Sequence, residues 1–359
     1  MNDFLIIGGG IAGLSAAARL SHLGNVLLLE AETALGTHTS GRSAAMFEET
    51  YGSASTVALN KHSRVYLETE NGGVLSPRGL MLVGTANTNT EFANDMRDMK
   101  LQGLSVDAGL AMVPILNCDV VTEIGYHSSA WDIDTDLLMQ SHVREAKLHG
   151  AEILTNQRVQ KIIRDGDKWH VTGAKGDEFS AKILINAAGA WVDEVARLAG
   201  IEPIGFTPLR RSMARIPAPN GLDVSDWPLI FGPGETWYAK PDAGKLLVSP
   251  ADEDPAIAHD AWPEDLILAQ GIARFEAVMT HTVTRLESSW AGLRTFSPDR
   301  SLVIGPDPNN PAFFWLGGQG GYGFQSSPAA SQLVADLLAG RASELDIAEV
   351  MALSPARFS

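Results

Sequence analysis

Residues Gly8 to Gly13, with the sequence GGGIAG, have the types and spacing that bind a pyrophosphate. Gly8 permits a tight turn, Gly10 lets backbone N–H groups approach the phosphates, and Gly13 lets the following helix pack closely on the preceding strand. Glu30 lies about twenty residues further on, where a carboxylate binds both hydroxyls of a ribose. Its negative charge disfavours a ribose 2′-phosphate. The pattern therefore predicts a site for NAD or FAD.

The residues around this turn have the pattern of a strand, a helix and a second strand. Phe4 to Ile7 are apolar, helical periodicity extends to Leu20, and Val26 to Leu29 form a second apolar run that ends at Glu30. This βαβ pattern predicts a Rossmann unit, and its position at the N-terminus favours FAD.

Three further segments have the small or polar residues that let a backbone lie against a ligand. The first is the polar stretch Gly36–Ala45. The second is Ala187–Trp191, which follows the predicted buried strand Lys182–Asn186. The third is Gly317–Gln325, where glycines precede an Ala-rich helix, and the positive end of that helix is expected to stabilise negative charge.

The remaining patterns predict strands, one helix start and a buried core. Strands are expected at Ala151–Leu154, Arg158–Ile163 and Trp169–Val171, with a hairpin at Thr236–Ser249 that turns at Pro241–Gly244. The aspartates Asp132, Asp134 and Asp136 lack the glycine and glutamate of a calcium loop, and are interpreted as a helix cap. The aromatic residues interpreted as core are Trp237, Trp290 and Trp315, of which Trp290 is also a candidate wall of the site.

Composition restricts the function classes. The chain has 359 residues and a formal charge of −16, which argues against nucleic-acid or anionic-membrane partners. One cysteine, Cys118, excludes a disulfide framework, and it is predicted to be a buried thiol. No apolar run reaches the roughly 18 residues of a membrane span, and no basic leader precedes the first strand, so we expect a cytoplasmic protein. No metal-binding histidine pattern is present, so no metal is expected.

These segments, in this order, resemble the FAD-dependent superfamily of D-amino-acid oxidase, glycine oxidase and monomeric sarcosine oxidase, and within it most resemble the bacterial D-arginine dehydrogenases. The blocks that carry the resemblance extend over nearly the whole chain: Gly41–Ala45, Leu75–Arg78, Asp132–Asp136, Asn186–Trp191, Tyr238, Lys240–Gly244, Trp290–Arg294 and Gln319–Gly323. The resemblance implies an α/β (α+β overall) fold in which a Rossmann-type FAD-binding domain is interleaved with an antiparallel-sheet substrate-binding domain. The implied FAD domain takes residues 1–75, 135–205 and 295–359, and the substrate domain takes 76–134 and 206–294.

The resemblance also implies the residues of the site. Arg211 and Arg294 would bind the substrate carboxylate, Tyr238 would complete this clamp, and Tyr51 would close over the amino group. The implied substrate pocket adds Met46, Leu80, Gly321 and Gln325. The implied FAD-binding residues are Gly8, Gly10, Ile11, Ala12, Gly13, Glu30, Arg42, Ser43, Ala44, Ala45, Val159, Ala188, Gly189, Trp191, Gly292, Arg294, Gly320, Gly321, Tyr322, Gly323 and Phe324.

Departures from the resembled enzymes refine this expectation. Leu80 and Met46 stand where the D-arginine enzymes have a glutamate and a histidine, so a cationic side chain would lose its counter-charge. Gly292 stands where sarcosine oxidases have the cysteine that links their flavin, so FAD is expected to be non-covalent. Sarcosine oxidases have a lysine that favours reaction with oxygen, and its position falls near Leu246 here, with Lys245 beside it. The leucine at this position favours an external acceptor such as a quinone over oxygen.

The sequence therefore predicts an FAD-dependent D-amino-acid dehydrogenase or oxidase that transfers a hydride from Cα of a small, neutral or apolar D-amino acid to flavin N5. The imino acid then hydrolyses to a 2-oxo acid and ammonia. Oxidation of a secondary amine, such as sarcosine or an N-methyl amino acid, or of a 2-hydroxy acid remains open. So does a flavin- or nucleotide-binding protein without amine oxidation.

Overall fold

The computed structural model describes residues 1–359, with the side chain of Asn220 left out. The strands are β1 (Asn2–Ile7), β2 (Val26–Leu29), β3 (Met46–Phe47), β4 (Leu75–Pro77), β5 (Leu80–Thr85), β6 (Gln102–Leu104), β7 (Val121–His127), β8 (Trp131–Ile133), β9 (Glu152–Leu154), β10 (Val159–Asp165), β11 (Lys168–Gly173), β12 (Glu178–Asn186), β13 (Thr207–Ile216), β14 (Leu229–Phe231), β15 (Tyr238–Asp242), β16 (Lys245–Ser249), β17 (Ser288–Phe296), β18 (Val303–Pro306) and β19 (Phe313–Gly317). The α-helices are α1 (Ile11–Leu20), α2 (Ala54–Thr69), α3 (Asn89–Asp98), α4 (Val106–Met112), α5 (Thr135–Leu148), α6 (Val192–Leu198), α7 (Asp265–Glu276), α8 (Gly323–Ala339) and α9 (Ile347–Leu353).

The first sheet has a parallel centre, in which β19, β12, β1, β2 and β9 are adjacent in that order. Alternate residues of its strands point to opposite faces. One face, which includes Ile6 and Leu28, packs against α1, α5 and α8, and the other, which includes Leu5 and Leu27, packs against α6. The antiparallel strands β10, β11 and β18 extend this sheet at its edges. The result is a three-layer Rossmann-type unit.

The second sheet has the order β17-β13-β16-β15-β14-β5-β7-β6 and is antiparallel except where β14 runs parallel to β5. The face that includes Met81, Ile230 and Val248 packs around Phe275 of α7. The opposite face includes Leu80, Phe231 and Tyr238. Because that face turns toward the first sheet, it forms the floor of the cleft described below. A small third sheet, β3-β8-β4, joins the two units.

The chain passes between the two sheets several times, and the fold expected from the resemblance is confirmed. The first sheet takes strands from three stretches of the chain, and the second takes strands from the stretches between them. The boundaries 1–75, 135–205 and 295–359 stay predictions. No helix in the described part of the chain is long and apolar enough to cross a membrane.

Local expectations were met in part. Asp134 caps α5, since its side chain accepts a hydrogen bond from the backbone N–H of Leu137. The hairpin of β15 and β16 turns at Ala243 and Gly244 alone, both with positive φ, because Pro241 and Asp242 pair within the sheet. The expectation of a buried Cys118 was wrong, since the thiol lies exposed in the loop before β7.

Candidate active site

The turn after β1 has backbone geometry that only glycine accepts. Gly8 has φ of +113°, and a Cβ there would lie 2.4 Å from the carbonyl oxygen of Ala187. A Cβ on Gly13 would lie 1.9 Å from the carbonyl oxygen of Gly8, so α1 packs directly on the turn. Gly10 is the N-cap of α1, and the first helical turn lines the adjoining cleft. The backbone N–H of Ile11 donates to Oγ of Ser40 at 3.0 Å, and the other N–H groups of this turn have no partner within the helix. This geometry fits a pyrophosphate.

Glu30 is held in place at the end of β2. One carboxylate oxygen accepts from the backbone N–H of Gly9 at 2.6 Å, and the other accepts from that of Glu32 at 2.8 Å. The side chain borders a cavity of about 180 Å³ that Val159 and Trp191 also line. Each carboxylate oxygen has a lone pair left for a hydroxyl. The arrangement fits the ribose and adenine of a dinucleotide.

Three adjoining cavities form one cleft. The cavity of about 180 Å³ beside Glu30, here called the nucleotide cavity, shares Gly10, Ser40 and Gly189 with a central cavity of about 120 Å³. The central cavity shares Ser43, Arg211, Tyr238, Arg294 and Gly321 with a third cavity of about 130 Å³. A long cofactor in the first two would therefore present its end to a small molecule in the third.

Arg294 is the cation of the third cavity whose charge no protein group has neutralised. It projects from β17, and glycine at position 321 makes room for it, since a Cβ there would lie 3.0 Å from the guanidinium carbon. Burial alone would lower the pKa of Arg294, but Tyr238, Tyr51 and Glu235 raise it above its ordinary value without a hydrogen bond to the guanidinium. Arg294 is thus a permanent cation that faces the cavity.

Arg211 lies on the same face of the sheet but is already held by the protein. It stands opposite Gly292 on β17, two residues from Arg294, so both side chains project to one side. Its Nε donates to the carbonyl oxygen of Asp252 at 3.0 Å, and Nη2 donates to Glu253 at 3.1 Å. Arg211 therefore has a fixed direction and a partly neutralised charge.

Tyr51 and Tyr238 border the same cavity. The Tyr51 hydroxyl donates to Glu235 at 2.8 Å, and its ring lies 5.4 Å from that of Tyr322, centroid to centroid. Burial, together with the charge of Glu235, raises the pKa of Tyr51, so the phenol stays protonated. The Tyr238 hydroxyl has only the sulfur of Met213 as a partner, at 3.2 Å. A weak partner of this kind leaves Tyr238 free to donate to a ligand.

Two carboxylates in the third cavity, Glu235 and Glu48, were missed by the sequence analysis. Glu235 has a positive φ of 52° in the short helical turn before β15. Glu48 directly follows the two-residue strand β3 and is nearly fully buried. Neither residue belongs to a periodic pattern, although Glu235 lies only three residues before Tyr238, which is a hint that was available. Both are brought to the cavity by the way in which the sheets meet.

The structure brings most of the predicted residues together. The predicted clamp and pocket residues all line the third cavity: Arg211, Arg294, Tyr238, Tyr51, Met46, Leu80, Gly321 and Gln325. The predicted cofactor residues that line the nucleotide cavity are Gly8, Gly10, Glu30, Val159, Ala188, Gly189 and Trp191. Those that line the central cavity include Ile11, Ala12, Arg42, Ser43, Ala44, Gly292, Gly320, Gly323 and Phe324.

Four placements differ from the prediction. Gly13 lies behind the turn, and Tyr322 caps α8 and packs on Tyr51, so neither lines a cavity. Ala45 lines the third cavity and not the central one, because the chain at that point has passed the central cavity, where the flavin would lie. Trp237, not Trp290, is a wall of the site, since the Trp290 indole N–H donates to the carbonyl oxygen of Arg42 at 3.1 Å.

A glycine-lined dinucleotide cleft that opens into a pocket with a free arginine is the arrangement of a nucleotide-dependent enzyme. The chain belongs to the DAO family of FAD-dependent oxidoreductases, whose family model, described as "FAD dependent oxidoreductase", matches residues 3–337. FAD is accordingly its cofactor, and the nucleotide and central cavities are the part of the chain that fits it. No group of metal-binding side chains occurs among the described residues.

Known relatives agree with this family. "FAD-dependent oxidoreductase domain-containing protein 1" of Xenopus laevis is 25% identical, over 94% of this chain and 79% of its own length. The structure of glycine oxidase from Geobacillus kaustophilus superimposes with a TM-score of 0.82 at 22% identity, and covers 99% of this chain and 98% of the oxidase. The structure of L-alpha-glycerophosphate oxidase from Mycoplasma pneumoniae, with FAD bound, has a TM-score of 0.84 at 20% identity, and covers 96% of this chain and 99% of that one.

Proposed function

We propose that this FAD-dependent oxidoreductase oxidises the Cα–H bond of a small, neutral or apolar D-amino acid. The product is an imino acid, which water hydrolyses to a 2-oxo acid and ammonia. The observation that carries the proposal is the unneutralised guanidinium of Arg294, in a cavity of about 130 Å³ that adjoins the central, flavin-sized cavity. A cavity of this size suits a small molecule with one carboxylate.

The two arginines would divide the work of binding that carboxylate. Arg294 supplies charge and a planar fork of donors, which is the best geometric match to a carboxylate. Arg211, fixed by Asp252 and Glu253, supplies a donor of set direction. Tyr238 adds a hydroxyl from β15, which lies two strands away from β13 in the same sheet. Together these groups would hold Cα at the border between the third and the central cavity.

FAD, when bound, would accept the hydride from Cα at its N5. The described residues contribute position and charge to this step. Helix α8 begins at Gly323, and its positive N-terminal end, with the glycines before it, faces the central cavity, where it favours negative charge. Tyr51 and Glu235 stand at the third cavity as a hydrogen-bonded pair, suited to the amino group. With Tyr51 protonated and bonded to Glu235, we assign no side chain as a dedicated base.

Part of the wall of the third cavity supports a substrate side chain without a positive charge. Leu80 and Phe231 are buried there, and Leu229 and Met99 stand beside them. A cationic side chain against this apolar part would lose hydration at a cost of several kcal/mol unless it reached one of the two carboxylates of the cavity, Glu48 or Glu235.

The electron acceptor is proposed to be an external one, quinone-like in preference to oxygen, and the enzyme to be cytoplasmic. Among the described residues that line the three cavities there is no lysine. Lys245 pairs with Glu287 at 2.9 Å at the far end of β16, and Leu246 is buried in the core. Lys240 donates to the carbonyl oxygen of Ala44, which lines two of the cavities, but it does not line them itself and is paired with Asp132. The absence of a cavity-lining lysine supports an acceptor other than oxygen.

Reduction of the flavin without oxygen tests the proposal, because it does not depend on the acceptor. The purified protein would be mixed anaerobically with neutral D-amino acids, D-arginine, sarcosine, glycine and small 2-hydroxy acids, while the oxidised-flavin absorbance is followed. We expect the fastest bleaching with a neutral D-amino acid. Fastest bleaching by sarcosine would instead establish a secondary-amine enzyme, and by a 2-hydroxy acid an alcohol-oxidising one. Fastest bleaching by D-arginine would refute the Leu80 argument.

A further inference from the structure

Glu48 lines the substrate cavity and has a buried carboxylate oxygen that lacks a hydrogen bond. Its Oε1 accepts from the backbone N–H and the hydroxyl of Thr50, at 3.1 and 2.7 Å. Its Oε2 lies 3.2 Å from Nε2 of His127, within ion-pair distance but without the alignment of a hydrogen bond, and is buried with no hydrogen-bond partner. Only 11% of the side chain is accessible, and the residue lines the third cavity.

His127 places this acid beside Leu80. The two residues are directly opposite each other on β7 and β5, so their side chains project from the same face of the sheet. The His127 ring stands next to Glu48, with its Nε2 3.2 Å from Oε2, and its Nδ1 is buried without a hydrogen-bond partner. The polar groups near Leu80 are therefore His127, on the adjacent strand, and Glu48, which lies next to His127. The residue type at position 80 alone does not reveal this pair.

A buried acceptor without a donor is destabilising, and a ligand that supplies the donor recovers the lost free energy. Burial alone would raise the pKa of Glu48, but His127 and Thr50 lower it below its ordinary value, so the carboxylate is ionised and can only accept at neutral pH. Glu235, by contrast, already has the hydroxyl of Tyr51 as its donor. Of the two acids in the cavity, Glu48 is the one with a buried oxygen that lacks a hydrogen bond.

We propose that the carboxylate of Glu48 accepts a hydrogen bond from a hydroxyl or amide N–H in the substrate side chain. The inference rests on the proposed function and narrows it: the preferred substrate is a neutral D-amino acid that carries a hydrogen-bond donor, not its apolar isostere. A cation is not required, because an ionised carboxylate also accepts from a neutral hydroxyl or amide N–H.

Matched isosteric substrates test this specificity. D-Serine would be compared with D-2-aminobutyrate, and D-asparagine with D-leucine, in anaerobic flavin reduction. The quantity compared is the ratio of the flavin-reduction rate constant to the dissociation constant. For at least one pair, we expect this ratio to be at least about tenfold higher for the donor-bearing member. In Glu48→Leu the two members should react with about equal efficiency, because the donor-bearing member loses more than the apolar member does. Glu48→Gln serves as a second variant that preserves shape if the leucine variant folds poorly.

Glu49→Gln is the matched control, since Glu49 pairs with Arg64 outside the cavity and its variant should keep the wild-type ratio. A purely structural role of Glu48 would slow both members of a pair equally, and that result overturns the inference. Binding gives a second readout: 3-hydroxypropanoate should perturb the flavin spectrum at a lower concentration than butanoate, and lose this advantage in Glu48→Leu. If no D-amino acid bleaches the wild-type flavin, the proposed function itself fails; if all pairs react with equal efficiency, only this inference does.

Discussion

Replacement of Arg294 by methionine should abolish most of the substrate affinity while leaving the folded holoprotein intact. The guanidinium faces the cavity without a protein hydrogen bond, so its charge is available to the substrate carboxylate. Loss of one partner from a desolvated charge pair costs about 3–5 kcal/mol. Arg211 remains to hold part of the carboxylate, so we take the lower end, which corresponds to a roughly 100- to 1000-fold loss in the ratio of reduction rate to dissociation constant.

The assay is anaerobic stopped-flow flavin reduction at a series of substrate concentrations. Arg294→Lys keeps the charge but loses the planar fork, and should recover about tenfold of the methionine variant's loss. Arg285→Met, which removes an exposed arginine far from the cleft, is the control and should behave like wild type. A methionine variant that binds FAD and reacts within tenfold of wild type would refute the assignment of Arg294 as the carboxylate partner.

Three other predictions follow from the same structure. Gly8→Ala places a Cβ 2.4 Å from the carbonyl oxygen of Ala187, so the variant should purify with little or no FAD by absorbance. Gly176→Ala is the control, since Gly176 also has a positive φ but has open space around it, and this variant should keep its FAD. Equal flavin content in both variants would contradict the cleft assignment. Acid precipitation should release all flavin into the supernatant, and yellow colour in the pellet would show a covalent bond that Gly292 is not expected to form. Burial lowers the pKa of His142 to about 4 from its ordinary 6.5, so folding stability should fall as pH drops from 6.5 toward 4, by up to about 3 kcal/mol, and urea midpoints should show that His142→Leu loses this dependence.

The part of the site that is local in sequence could be predicted from the residues. The turn from Gly8 to Gly13 and the acid Glu30 belong to one βαβ unit, so spacing alone indicates both their structure and their chemistry. The first strand, helix and second strand are found at Asn2–Ile7, Ile11–Leu20 and Val26–Leu29, close to the predicted bounds.

The substrate pocket is not local, and spacing alone could not assemble it. Arg211 and Arg294 meet because β13 pairs with β17, a contact between distant parts of the chain that only the family resemblance implied. Glu48 and Glu235 lie in irregular segments, where no periodicity distinguishes a buried acid from a solvated one. The prediction that Cys118 is buried was wrong for a related reason. Cysteine is buried on average, but the residue type does not show whether a particular loop is exposed, as this one is.

A single turnover with paired enantiomers tests the central claim most directly. A neutral D-amino acid, or its L-enantiomer, would be added once to the oxidised wild-type protein without oxygen. The flavin absorbance, the 2-oxo acid and the ammonia would then be measured. We predict that the D-enantiomer bleaches the flavin and yields one 2-oxo acid and one ammonia per flavin, and that the L-enantiomer does neither. Bleaching by the L-enantiomer alone, or by neither amino acid, would contradict the account of this cleft as a D-amino-acid site.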